Sequence, residues 1–234
     1  MRAILLAAGL GTRLRPLTDR IPKCLVPIDG RPLIDIWLEE LLANGVESVL
    51  VNCHYLAQQV VEHISNGPFA TSTKIVHEAT LLGTAGTLIA NRKFLDDNDG
   101  ILIHADNYSE ASIRDLLDAH SQRPSRCTLT MLTFRSPTPE SCGIVEIDSD
   151  GVVIGYEEKP QSPTSNLANG AVYVLSSELV ESLSGENDFS TEVLPRQVGR
   201  IYTHETFAPH VDVGTPGGYS DANQFARYHR EINA

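Results

Sequence analysis

The sequence predicts an α/β fold with a mostly parallel central sheet, and three observations carry that prediction. Short apolar runs alternate with amphipathic stretches through the first half of the chain. The first of these runs ends at glycines and a later one in polar residues, as strands buried on both faces do. The second half changes to β-rich stretches with a hairpin signal. Strands alternating with helices imply parallel pairing through right-handed crossovers.

Element by element, RAILLA at the start is an apolar strand stopped by glycines. Pro32 suits the first turn of a helix, and PLIDIWLEELLANG runs from it to Gly45 as a stop. VESVLVN is the next strand, YLAQQVVEHIS a helix and STKIVHE a strand. A short helix follows the loop ATLLGTAG; GILIHADN is a buried strand with a polar end, and EASIRDLLDAHS the helix after it. CTLTMLTF and GIVEID are strand-like, and SDG turns the chain into VVIGYEEK. NGAVYVL is a further strand, STEVLPRQVG starts helical, and PGGYSDANQFARYHR is a terminal helix. No repeat or low-complexity linker interrupts the chain, so residues 1–234 read as one domain. Its α/β half is residues 1–110 and its more β-rich half residues 111–234.

The net charge of −12 argues against nucleic acid and anionic membranes as partners, since both want a basic face. That average hides a basic island. Residues 1–31 hold Arg2, Arg13, Arg15, Arg20, Lys23 and Arg31 against Asp19 and Asp29, a local +4 that leaves −16 for the rest. A small anionic ligand held locally fits this asymmetry. The four cysteines, Cys24, Cys53, Cys127 and Cys142, form no C-x-x-C pair, which argues against a zinc or redox motif. The apolar start is too short for a signal peptide, and no run reaches a membrane span, so a cytoplasmic protein with reduced thiols is expected.

The stretch AAGLGTRLRP carries the chemistry. A dinucleotide fingerprint needs a third glycine where Leu14 stands, and Pro16 interrupts any helix there. The P-loop spacing is absent too. What remains is a loop whose glycine amides approach phosphate while Arg13 supplies a planar cation and Lys23 a second charge. A plain turn would explain the glycines but not the clustering of Arg13, Arg15 and Lys23.

LAAGLGTRLRPLT followed by PKCLVPIDGRPLI resembles the signature of the sugar-1-phosphate nucleotidylyltransferases, and LLGTAG, HADN, CGIVE, EEKP, NGAVYV and VDVGTP continue the resemblance in the family's order. It covers nearly the whole chain. Ala8 departs from the pattern, standing where many relatives have another glycine, and no β-helix of the kind carried by some relatives is expected within these 234 residues. The resemblance implies a Rossmann-like fold with helices on both sheet faces, a nucleotide-binding half and a β-rich sugar-binding half. It implies attack by a sugar 1-phosphate on the α-phosphorus of an NTP, with Mg²⁺ as cofactor. Arg13, Lys23 and Asp106 would be catalytic, and Asp106 and Asp212 would hold the metal. Ala7, Ala8, Gly9, Gly11, Thr12, Gly83, Thr84 and Gly86 would bind the nucleotide. Gly143, Glu158, Lys159, Asn169 and Gly170 would bind the sugar phosphate.

Other features have blander readings. Asp148-Ser-Asp150 looks like a DxD metal motif but precedes Gly151 between two strands, which is a hairpin turn. His204, His210 and Asp212 lack a zinc-site spacing, His104 reads as core or as support for Asp106, and Trp37 as core or a subunit contact in a homodimer. Within the family, LLGTAGTL looks most like guanylyltransferases acting on mannose 1-phosphate. Uridylyltransferases acting on a hexose or N-acetylated amino-sugar 1-phosphate are the alternative, with thymidylyltransferases further off. An inactive regulatory relative and a glycosyltransferase using a finished NDP-sugar are the remaining classes.

Overall fold

The runs marked as strands by their apolar residues are buried almost without interruption: Ala3, Ile4 and Leu5 in the first, and Val49, Leu50, Val51 and Cys53 in the next long one. The structure is a computed structural model and describes residues 1–232. In chain order the elements are β1 (Arg2–Leu6), β2 (Pro27–Ile28), β3 (Arg31–Pro32), α1 (Leu33–Ala43), β4 (Ser48–Cys53), α2 (Ala57–Asn66) and β5 (Thr73–His77). Then come α3 (Thr84–Asn91), β6 (Gly100–His104), β7 (Asn107–Ser109), α4 (Ile113–Gln122) and β8 (Leu129–Arg135). The remainder is β9 (Gly143–Ile147), β10 (Val153–Glu158), β11 (Leu167–Leu175), α5 (Ser177–Ser182), β12 (Ile201–Glu205), β13 (His210–Asp212) and α6 (Pro216–Ile232). The chain is of the α/β class that the alternation predicts, and every long element read from the sequence has its counterpart. Among the described residues no helix is long and apolar enough to cross a membrane.

The chain divides into two compact units. One comprises, among the described residues, Ala3–Leu81, His104–Ala111 and residues 208–232. Here β1 neighbours β4, and β4 pairs with β5 in parallel, Val49 opposite Thr73 through Cys53 opposite His77. Helix α1 buries Leu33, Ile34, Trp37, Leu38 and Leu41, a stripe at helical spacing, and Trp37 Nε1 donates to Asn107 O at 2.8 Å. A core of Leu14, Val26, Ile28, Leu33, Tyr108, Val213 and Ala222 lies under the segment between β1 and β2. That segment is built of single 3₁₀ turns at Thr12–Leu14, Leu17–Asp19 and Lys23–Leu25, so packing rather than a ladder fixes it.

The other unit comprises Met1–Arg2, Leu82–Ile103 and Ser112–Phe207. Its strands pair mostly antiparallel: β10 with β9, and β11 with β6, β8 and β9, while β12 runs parallel to β8. Helix α4 starts where Ser112 Oγ accepts from Asp115 N at 3.1 Å and buries Ile113, Leu116 and His120. The turn before β10 is held by Asp148, whose Oδ1 accepts from the amides of Asp150 and Val152 at 2.9 Å each. Strand β11 loses register with β8 between Asn169 and Tyr173, and Ala171 there takes φ +54°. Bulges of this kind re-aim side chains beside binding sites.

Candidate active site

Two three-residue strands assemble the charged centre. β13 pairs antiparallel with β7, setting Asp212 opposite Asn107 and Val211 opposite Tyr108. Val213 N then donates to Asp106 O at 2.9 Å. Two acidic residues far apart in sequence thus become neighbours. Lys23 rises between them from its 3₁₀ turn, with its side chain only 7% exposed. Its Nζ donates to Asp106 Oδ2 at 2.9 Å and to Asp212 Oδ1 at 3.1 Å. Arg13 Nη2 reaches Asp212 Oδ2 at 3.2 Å. Burial alone would push the Asp106 carboxyl up, but the Lys23 charge and hydrogen bond, with His104, outweigh it and hold the group below the usual carboxylate range.

These residues fit a divalent cation. The donors are hard carboxylate oxygens, and both side chains are nearly half exposed, at 44% and 45%. Among the described residues no group of three or more His, Cys, Asp and Glu side chains stands ready for a metal. Two carboxylates with phosphate oxygens and waters completing the shell are the usual provision for a phosphate-bound Mg²⁺.

The glycine loop is held from behind. Ala7 N donates to Asn52 Oδ1 at 2.7 Å, and Asn52 Nδ2 to the buried Glu78 Oε1 at 2.9 Å. Ala8 is buried, and a Cβ at Gly9 would meet nothing within 4 Å. Gly9 therefore faces open space that its own chain does not fill. Gly11 O accepts from Thr18 Oγ1 at 2.7 Å, Thr12 opens the turn that carries Arg13, and Arg15 pairs with Asp19 at 3.1 Å.

The remaining predicted residues belong to the other unit. Gly83, Thr84 and Gly86 begin α3 against the backbone of Asn187, which accepts from Ala85 N at 3.0 Å and Gly86 N at 3.3 Å. Thr84 Oγ1 accepts from Phe189 N at 2.7 Å. On β9, Gly143 stands opposite Glu158 of β10. Lys159 follows at φ +51°, its N donating to Cys142 O at 3.0 Å and its Nζ 3.7 Å from Glu158 Oε1. Asn169, on β11 beside the buried Gly170, donates to Tyr173 Oη at 2.8 Å and accepts from Ala171 N at 2.9 Å.

Sequence reading did not single out Asn52, Glu78, Tyr156 or Gly214. The last had a signal, because it directly follows the acidic residue in VDVG. A Cβ on Gly214 would stand 2.7 Å from Arg13 Nη2 and 2.7 Å from Asp212 Oδ1, so bulk there collides with the charged centre.

Comparison with known proteins shows the family of the chain. The profile of the nucleotidyl transferase family matches residues 2–228. A glucose-1-phosphate thymidylyltransferase of Streptomyces griseus is 32% identical over 79% of this chain and 52% of its own length. The catalytic subunit beta of a Danio rerio mannose-1-phosphate guanylyltransferase is 29% identical over 92% of this chain and 62% of its own. The chain thus spans about half to three-fifths of the length of these curated relatives. The crystal structure of HddC from Yersinia pseudotuberculosis complexed with GMP-PN superposes with a TM-score of 0.80 at 25% identity, covering 95% of this chain and 98% of that one. With the match running almost from end to end, the chain belongs to the nucleotidyl transferase family.

Proposed function

We propose that this protein joins a nucleoside triphosphate to a sugar 1-phosphate, giving an NDP-sugar and pyrophosphate. The observation that carries the reading is the buried Lys23 ammonium bridging Asp106 and Asp212, with Arg13 on the second carboxylate. Such an arrangement suits the handling of polyanions. A phosphate monoester, with its second pKa near ~6, is mostly dianionic at neutral pH and needs no general base. Its oxygen attacks the α-phosphorus, the bond from that phosphorus to the bridging oxygen breaks, and pyrophosphate leaves with the electron pair. Cations and positioning then supply most of the acceleration.

In this reading Arg13 and Lys23 offset charge on the triphosphate, while Ala7, Ala8, Gly9, Gly11 and Thr12, with Gly83, Thr84 and Gly86, receive the nucleotide. Asp106 and Asp212 hold a divalent cation, Mg²⁺ by the hardness of their oxygens. When bound, that ion neutralises phosphate charge and fixes the orientation of the oxygens it contacts. Glu158 accepts from sugar hydroxyls, Lys159 pairs with the 1-phosphate, and Gly143, Asn169 and Gly170 shape the pocket around them. The four thiols are unpaired, in keeping with a cytoplasmic setting.

For the base, likeness to HddC bound to GMP-PN and to the Danio rerio relative favours a guanylyltransferase acting on mannose 1-phosphate or a sugar of that configuration. The Streptomyces griseus relative favours thymidylyl transfer as the second reading. Four NTPs crossed with several sugar 1-phosphates, scored by pyrophosphate release, separate them. Turnover with GTP and mannose 1-phosphate is expected. Turnover with UTP or TTP alone removes the guanylyl assignment, and no release with any pair removes the proposal.

A further inference from the structure

Glu158 does not stand alone on β10. Two residues earlier, on the same strand face, Tyr156 donates its hydroxyl to Glu158 Oε2 at 2.6 Å. Burial first, then Tyr173 and this hydrogen bond, push the Tyr156 phenol far above its ordinary range, so its proton stays on the oxygen. Asn169 donates to Oη of the fully buried Tyr173 at 2.8 Å, and its carbonyl accepts from Ala171 N at 2.9 Å. Both ends of the Asn169 amide therefore have partners inside the protein.

Two backbone features sit at these bonds. Lys159 at φ +51° and Ala171 at φ +54° both occupy the left-handed region, which non-glycine residues seldom enter outside sites that need it. Gly143 supplies an independent observation. A Cβ there would lie 2.5 Å from Tyr156 Oη and 2.7 Å from Glu158 Oε2. The glycine leaves room for the Tyr156–Glu158 bond itself.

We infer that Tyr156 is a positioning residue for the sugar: by occupying Oε2 it fixes the Glu158 carboxylate so that Oε1, on the Lys159 side, is the atom left to accept from a sugar hydroxyl. On β11 Asn169 and Tyr173 are tied to one another at 2.8 Å. This rests on the reading of Glu158 and Lys159 as the sugar-phosphate anchors. The phenol acts only through Glu158, so its removal should harm sugar binding and nothing else.

The test compares wild type, Tyr156→Phe, Glu158→Gln and the double variant for the KM of each substrate, kcat and melting temperature. Tyr156→Phe should raise the KM for the sugar 1-phosphate about tenfold, the usual cost of one hydrogen bond to a charged group. The KM for the NTP, kcat and melting temperature should hold. On the Glu158→Gln background the same change should add nothing. Equal rises in both KM values, a loss that follows melting temperature, or the same factor on both backgrounds overturns the role of Tyr156. A wild-type protein that releases no pyrophosphate overturns the underlying reading, and this inference with it.

Discussion

Replacing Lys23 by methionine keeps the apolar stem and deletes the charge that two carboxylates share. At 2.9 and 3.1 Å each ion pair has a gross attraction of about 5 kcal/mol at an effective dielectric of ~20. Both carboxylates are nearly half exposed, so water screens most of that. Losing the partner of a fully buried pair costs about 3–5 kcal/mol, and the screened value here should be about 2 kcal/mol. For a chain of this size that lowers the melting temperature by about 4–8 °C. Two uncompensated carboxylates should then bind a divalent cation more readily, because no ammonium competes for their oxygens. Scanning fluorimetry with and without MgCl₂ reads both effects. The variant should melt lower than wild type in EDTA and gain more from Mg²⁺, while turnover falls by orders of magnitude. An unchanged melting temperature together with the same Mg²⁺ response as wild type would refute the counter-charge role of Lys23.

Gly214→Ala places its methyl 2.7 Å from both Arg13 Nη2 and Asp212 Oδ1. It should cut kcat/KM about tenfold or more with little change in melting temperature, and unimpaired kinetics would show that Arg13 need not lie there. Gly83 has φ +78°, and a Cβ on it would stand 2.2 Å from Asn187 O, so Gly83→Ala should cost about 3 kcal/mol or more in denaturant titration. A loss under about 1 kcal/mol contradicts that packing. Burial, then the Arg123 charge, lower the His120 pKa to about 4 against the pull of Asp99. The unfolded chain takes up this proton near pH 6.5, so the stability it confers is complete above that pH. As pH falls toward 4 up to about 3 kcal/mol is lost. His120→Gln should flatten that limb of the melting-temperature profile, and parallel profiles would remove the assignment.

The long elements were legible because their apolar periodicity is strong; α1 and β4 bury the residues that the pattern marks. Strands β7, β12 and β13 and helix α5 were not, being three to six residues long and mostly polar. β7 and β13 matter most, because their ladder is what brings Asp106 beside Asp212. The two acidic residues stood out through their motifs, yet nothing in the spacing of HADN and VDVGTP gives their proximity. Asn52 and Glu78 look like ordinary polar residues at strand ends until the fold puts them behind Ala7. Gly143 was expected to leave room for a sugar. The structure gives it a second reason, the Tyr156–Glu158 bond, which depends on the register of β9 against β10 and on no local pattern.

In the proposed function the cluster of Arg13, Lys23, Asp106 and Asp212 supports nucleotidyl transfer. Incubation with α-³²P-labelled NTP and a sugar 1-phosphate, followed by separation of the products, is the decisive measurement. The wild-type chain should pass label into an NDP-sugar, and a folded Asp106→Asn variant should do so slower by orders of magnitude. Equal label transfer by the two proteins contradicts that role.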